Sequence, residues 1–349
     1  IHKIIKFLIY FKIKFPKFIM CYNLESLIIF DNYLMIIYPP IWIIIGCFNN
    51  FLIFLLMTLK ILKRKPNQDH VTIYYWALSI GDTLTCVFQM LPKWIDRAFK
   101  TNLYVTSEIL CRILPKTIPY TVGDFSIWLV VLMTIDRFVR IYFPLHFKRI
   151  FSERKVYLSL IVLFVGAFLK NFVFSFEKTL YMTCSFNNYS AVSNYFTSGT
   201  DKLISLVFVS ILPVCSVFIL NILILIKWKK IFPANIKSQN NNPPTRVAKN
   251  STKVFLAISM SFFIFLTPFF LVLPFTNYNF LEECVKIQYF VLLDITECIF
   301  FLNHVTNLYF YVLLSKSYRI EMIFLFKKCL PKFLENQIRP EMMSDETSI

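Results

Sequence analysis

The 349 residues are 57% apolar and only 16% charged, with 40 Phe against five Gly, which leaves too little charge to cover a soluble domain of this length. The formal net charge of +17 sits in short clusters between apolar runs; this excludes an aromatic-interleaved nucleic-acid surface and reads instead as membrane topology signals. Nine Cys without a C-x-x-C or Cys/His cluster argue against a disulfide scaffold and a metal centre, and no nucleotide-loop, zinc-protease or serine-hydrolase signature points to an enzyme.

Residues 1–37 open with the apolar, basic run "IHKIIKFLIYFKIKFPKFIM", which has no small-residue cleavage site. They are read as an extracellular N-terminal segment or a misassigned start. Twenty-eight uncharged residues then separate Asp31 from Lys60, more than the roughly 20 a helix needs to cross hydrocarbon, and a first helix is expected from near Pro40. Further apolar segments run from Val71 to Pro92 with Asp82 inside, from Cys111 to Asp136 with Lys116 and Asp124, and from Val156 to Phe176 with Lys170. Leu203 to Ile226 and Val254 to Leu273 carry no charge, and Tyr289 to Leu314 holds Asp294 and Glu297. The stretch at 230–250, "KIFPANIKSQNNNPPTRVAKN", has no apolar periodicity and is expected to be flexible. The fold class that results is an all-α membrane protein, with seven transmembrane helices in residues 38–315. An amphipathic eighth helix follows at 316–330, with Ile320, Ile323, Phe324 and Phe326 to Leu330 partly facing lipid, and then a cytoplasmic tail at 331–349.

Orientation follows from lysine and arginine bias near the span ends. Segments 60–69, 136–155 and 227–253 hold four, six and seven basic residues, and the alternate segments 93–112, 177–202 and 276–288 hold four, two and one. The first set is placed in the cytosol, which puts the N-terminus outside and the C-terminus inside. "NYS" at Asn188, a glycosylation acceptor, then falls on the extracellular side, while "NST" at Asn250 falls in the cytosol and should go unused.

Charges inside a span are expensive and mark pathways, switches or ligand sites. Asp82 lies midway along the second helix and must face the bundle interior; Ser126, Asn303 and Asn307 are placed to converge on it, with Asn50 offering a further amide. Such a group suits water and a small cation, or acts as a plain hydrogen-bond hub. Asp136 and Arg137 stand at the cytosolic mouth of the third helix, where an arginine can pair with its neighbour in one state and a partner in another. A solvated interfacial pair is the bland alternative.

In order and spacing these residues resemble the rhodopsin-like, or class A, G-protein-coupled receptors across roughly Ile41 to Cys329. "DRF" at Asp136 to Phe138, followed by Pro144, resembles the family's Asp-Arg-Tyr motif and loop proline. "LSIGD", ending at Asp82, resembles the sodium-site pattern of helix two, and Asn50 in "NNFLIF" the helix-one asparagine. "NLYFY", Asn307 to Tyr311, resembles Asn-Pro-x-x-Tyr, and "FFIFLTP", Phe262 to Pro268, stands at the helix-six hinge; Pro213 is the helix-five proline.

The resemblance implies a coupling switch of Asp136, Arg137, Asn307 and Tyr311, and a hinge of Phe262, Leu266 and Pro268. It also implies a sodium and water site of Asp82, Ser126, Asn303 and Asn307, a disulfide between Cys111 and Cys184, and a heterotrimeric G protein as partner at the plasma membrane. Cys329 is a candidate for an acyl chain or a free thiol. No nucleic-acid partner and no cofactor beyond the sodium ion are expected. Departures are Leu308 for the helix-seven proline, Leu266 for the toggle tryptophan, Phe138 for the tyrosine, Asn221 for a helix-five tyrosine, and Ala248 where an acid would hold Arg137. The lock on Arg137 is then expected to rest mainly on Asp136, with raised basal activity.

For the ligand, Lys116, Asp294 and Glu297 are expected to line the outer cavity, with the two acids, three residues apart, meeting one cation between them. Lys116 neutralising either acid internally is the alternative. An amidated peptide with arginine near an aromatic end would suit these acids and the many Phe. Pro119 stands where an amine receptor would carry its aspartate, which argues against an amine ligand. "MLPKW" and "FLNHVTNLYFYVLLSKSYR" are similar to invertebrate peptide receptors of the FMRFamide-type group. A secondary transporter would show an internal repeat and paired Gly- or Pro-broken helices, and an opsin a retinal lysine between Lys286 and Lys316; neither is present.

Overall fold

The computed structural model describes residues 24–62, 70–101, 108–175, 206–231, 243–273 and 283–329. Asn188 and Cys184 lie outside these residues, and so do the side chains of Cys111, Lys116 and Cys329. Among the described residues everything regular is helix, as expected where hydrocarbon offers the backbone no hydrogen-bond partner.

Six helices are long and apolar enough to cross a membrane: Glu25–Leu62, Val71–Phe99, Thr117–Tyr142, Glu153–Val173, Val207–Lys230 and Thr252–Val272. A seventh crossing is made by Ile287–Val305 and Asn307–Leu314, bent by 47° at the break between them. These are called the first to seventh helices below. The third packs against the second, fourth and fifth; the first against the second and seventh; the sixth against the fifth and seventh. Ile53, Met57, Ile73, Leu129, Phe255, Phe262 and Leu266 fill the centre, while the fourth helix turns Leu158, Ile161, Val162, Val165 and Leu169 outward. The end of the bundle that carries Asp294 and Glu297 is called outer and the end that carries Asp136 inner.

The first helix begins at Leu24, not near Pro40, and runs straight through Pro39 and Pro40. Pro40 has no N–H to give the Ile36 carbonyl one turn back, and the indole Nε1 of Trp94 supplies that bond at 2.9 Å. The second and fifth helices absorb their own prolines differently. A π-helical turn, Cys86–Met90, precedes Pro92, and another, Leu206–Ile211, precedes Pro213. Each wide turn contains the carbonyl four residues before its proline, so the ring meets loosened backbone rather than a tight ladder.

One local expectation is corrected, and one short helix is added. The sixth helix starts at Pro243, so the second half of the stretch expected to be flexible is helical. A short helix, Pro144–Ile150, follows the third, opening with proline at its first turn where no N–H is needed. The final helix, Lys316–Cys329, leaves the seventh through an extended Ser315. It buries Met322 and Leu325 and exposes Ile320, Ile323, Phe324 and Phe326, the amphipathic arrangement of a surface helix. Lys60 of the first helix ties it down, 2.8 Å from Glu321 and over the Tyr318 ring at 3.7 Å.

Candidate functional site

At mid-bundle, Asp82 is completely buried and gathers three helices. Its Oδ1 accepts from Ser126 Oγ at 2.7 Å and from His304 Nδ1 at 2.7 Å, and its Oδ2 accepts from Asn307 Nδ2 at 2.6 Å. A carboxylate only accepts, so the His304 nitrogen facing it is the protonated one. Ser126 and Asn307 therefore stand where the sequence places them. Asn303 is buried but is not a partner of Asp82, and Asn50 donates to the His304 carbonyl instead, at 2.7 Å. The residue missed is His304. A lone histidine in an apolar run reads as core, and nothing in its spacing sets it apart.

Sodium needs oxygen ligands and a place beside the carboxylate. Here Oδ1 already faces two donors, one of them an imidazole N–H, and Oδ2 faces a third. This arrangement suits the plain hydrogen-bond hub and does not fit a sodium ion at Asp82.

The same junction explains how the seventh helix bends although Leu308 replaces proline. Asn50 and Asn49 of the first helix donate to the carbonyls of His304 and Val305, at 2.7 and 3.0 Å. A continuous helix would give those carbonyls to the amides of Leu308 and Tyr309. The Tyr309 amide turns instead to the Thr306 carbonyl, and the Thr306 hydroxyl bonds back to Leu302. Side chains inserted into the ladder and hydroxyl back-bonding both bend helices. Gly46 permits the approach, since a Cβ there would meet the Cys86 Sγ at 2.9 Å and the Val305 side chain at 3.1 Å.

At the inner mouth, Asp136 and Arg137 are both buried. The expected pair between them is not formed. Asp136 Oδ1 lies 2.8 Å from His70 Nε2 and 3.5 Å from the Tyr74 hydroxyl, and its Oδ2 is 4.0 Å from Arg140 Nε. His70 is held in place by stacking on Phe147 of the short helix, ring centroids 5.4 Å apart. Arg137 points its guanidinium toward the sixth helix, 5.8 Å from the Phe255 ring. Tyr311 is buried between Tyr75 and Tyr318, and its hydroxyl has no hydrogen-bond partner among the described residues. Asn221 joins the fifth helix to the sixth by accepting from the Ser259 hydroxyl at 2.9 Å. Phe262 and Leu266 are completely buried, six and two residues before Pro268 in the same helix.

At the outer end the two acids do not share one cation. Asp294 Oδ2 takes Arg97 Nη2 at 2.8 Å, and Glu297 Oε1 takes the Lys93 ammonium, both from the end of the second helix. Arg97 also reaches Asp31 of the first helix, Nη1 to Oδ2 at 3.4 Å. Lys93 and Arg97 lie one turn apart, matching the acids opposite, a signal that the sequence carries but that looks like loop charge until the acids are seen. Deeper between the third and fourth helices, Asp124 is closed off by Lys170 at 2.6 Å and Asn171 at 2.8 Å.

A family model for the 7 transmembrane receptor (rhodopsin family) matches residues 49–311, most of the described bundle. The chain belongs to that family. Among curated proteins it is similar to the type-1 angiotensin II receptor of Homo sapiens, 24% identical over 326 residues that span 86% of this chain and 83% of that one. The type-1 angiotensin II receptor B of Mus musculus and the type-1 receptor of Oryctolagus cuniculus match at the same 24% and the same coverage. The chain is thus a multi-pass membrane receptor of the class A architecture rather than an enzyme.

Proposed function

We propose that the chain is a receptor for an extracellular amidated peptide bearing a cationic residue, of the kind the FMRFamide-type group binds, and that it signals to a heterotrimeric G protein. The observation that carries this reading is the charge balance of the outer cluster. Among the described residues Asp31, Asp294 and Glu297 face two cations in it, Lys93 and Arg97, and Asp31 Oδ1 is buried there without a hydrogen-bond partner. A third cation satisfies that cluster, and a guanidinium does so with paired, directional bonds. The relatives' name, a receptor for angiotensin II, supports a peptide over an amine.

The ligand acts by preferring one arrangement of the bundle. In that arrangement the sixth helix swings outward about Pro268 and uncovers Arg137, which now rests beside Phe255 of that helix. The inner end is cytosolic and the outer end extracellular in this reading, with Cys111 joined to Cys184, Asn188 glycosylated and Lys116 in the cavity wall. The missing Asp136 to Arg137 pair favours a second reading, a seven-helix receptor that no longer signals.

Calcium and cyclic AMP output from cells expressing the full chain, challenged with amidated peptides and with amines, tests this. An arginine-bearing peptide is expected to act at nanomolar concentration, to lose at least about tenfold in potency on Glu297→Gln, the ~1.4 kcal/mol of a charge-assisted bond, and to lose all output on Arg137→Ala with surface expression retained. Equal potency on Glu297→Gln rejects the pocket, and unchanged output on Arg137→Ala rejects the coupling role.

A further inference from the structure

We propose that His304 takes the place of a cation at Asp82, so that this receptor is insensitive to sodium and becomes sodium-sensitive when the imidazole is removed. The inference rests on the geometry of the hub and not on the identity of the ligand.

His304 of the seventh helix meets the second and third helices at a single oxygen of Asp82. Its Nδ1 shares Asp82 Oδ1 with the Ser126 hydroxyl, each at 2.7 Å, while its own carbonyl is held by Asn50 at 2.7 Å. The ring is completely buried, set edge-on to Phe300 with centroids 5.3 Å apart and beside Phe301 at 6.4 Å, so it cannot swing away without opening the core. An N–H aimed at the carboxylate presents a positive end where a sodium ion would sit, and the two exclude each other. The remaining oxygen, Oδ2, is already engaged by Asn307 Nδ2 at 2.6 Å.

The same residue explains why so isolated a carboxylate is tolerated. A buried acceptor left without donors costs about 1–3 kcal/mol, and more when it is charged, so a receptor that does not recruit an ion needs a third donor from its own chain. His304 is that donor. Shortening it to Ser removes the ring but leaves the Asn307 Oδ1 atom, buried and without a hydrogen-bond partner among the described residues, as an oxygen that a cation beside Asp82 can use.

Insensitivity has a functional meaning. An ion changes a two-state equilibrium only through its different affinity for the two states. With the donor covalently built in, the resting arrangement at Asp82 is set by the protein alone and does not vary with the salt outside the cell.

The test is the thermal unfolding midpoint of the purified full chain in sodium chloride and in potassium chloride at equal ionic strength, with sodium itself as the probe. The wild-type midpoint is expected to be the same in both salts; a rise specific to sodium overturns the proposal without any variant. His304→Ser is expected to gain a sodium-specific rise, and Asp82→Asn added to it should remove that rise. A His304→Ser protein that folds and shows no sodium effect overturns the assignment of His304 as the obstacle, as does an effect that survives Asp82→Asn. Where His304→Ser does not fold, His304→Thr gives the same reading, with no N–H and a side chain closer in volume.

Discussion

Asp82 and Asp136 are both buried aspartates joined to a histidine from a distant part of the chain, yet the two sites are built to opposite ends. At Asp82 both oxygens are matched by donors, and the histidine is completely enclosed. At Asp136 one oxygen carries His70 and Tyr74, while the other has no hydrogen-bond partner among the described residues and lies 4.0 Å from Arg140. The carboxylate of the first is closed: each of its three donors loses a bond by moving. The second is poised, since Asp136 has an acceptor to offer and Arg137 lies next to it in the chain. A hub of the first kind fixes how the second, third and seventh helices meet, and a switch of the second kind sits on that fixed frame.

The sharpest break in the comparison is to remove each carboxylate. Asp82→Ala strands the donors of Ser126, His304 and Asn307 at once, and at about 1–3 kcal/mol for each unmatched group the loss is large against the whole stability of a domain. Surface expression and the thermal midpoint are expected to fall severely. Asp136→Ala strands mainly His70, near the inner end, and is expected to fold with a much smaller shift. Equal losses from the two variants would show that Asp136 is as closed a site as Asp82.

A finer probe is His70→Ala. In the structure His70 holds the Asp136 oxygen that would otherwise be free to turn to Arg137. Its removal is expected to let that pair form and to lower ligand-free signalling by about fivefold, the ~1 kcal/mol of one hydrogen bond. Basal output is read in cells at matched surface expression. A rise, or no change, would mean that His70 does not keep the acid away from the arginine.

How much of this was legible in the sequence depends on the kind of residue. The spans, the order of the motifs and the surface helix follow from hydropathy and spacing, because lipid allows little except helix. That Asp82, Ser126 and Asn307 meet is legible because polar groups in a span must find one another, although Asn303 does not join them. Helix ends are less legible: Pro40 reads as a helix start, whereas the first helix runs on through it, with Trp94, more than fifty residues away, taking the Ile36 carbonyl that the proline leaves free. The pairings chosen by His70, His304, Lys93 and Arg97 were hidden for the same reason, as each depends on which side of a neighbouring helix faces it. Charge at a span end reads as topology until the opposing acids are seen one turn apart in the same way.

The smallest expected effect concerns the bend that joins the two sites. Leu308 breaks the family's pattern, yet the helix bends by 47° beside it, so the proline is not what makes the bend here. The carbonyl that a proline at 308 would leave empty, that of His304, is already taken by Asn50. Leu308 is also the second residue of the new helical segment Asn307–Leu314, where a missing N–H is tolerated. Leu308→Pro is therefore expected to be close to neutral, within about 1 kcal/mol, by a balance of lost side-chain packing against a stiffer unfolded chain. Asn49→Leu should cost more, because it returns the Val305 carbonyl to the ladder and removes a buried bond between the first and seventh helices. The thermal midpoints of the two variants decide the matter: if Leu308→Pro proves the more damaging, the bend depends on a bond from the Leu308 amide and not on the two asparagines of the first helix.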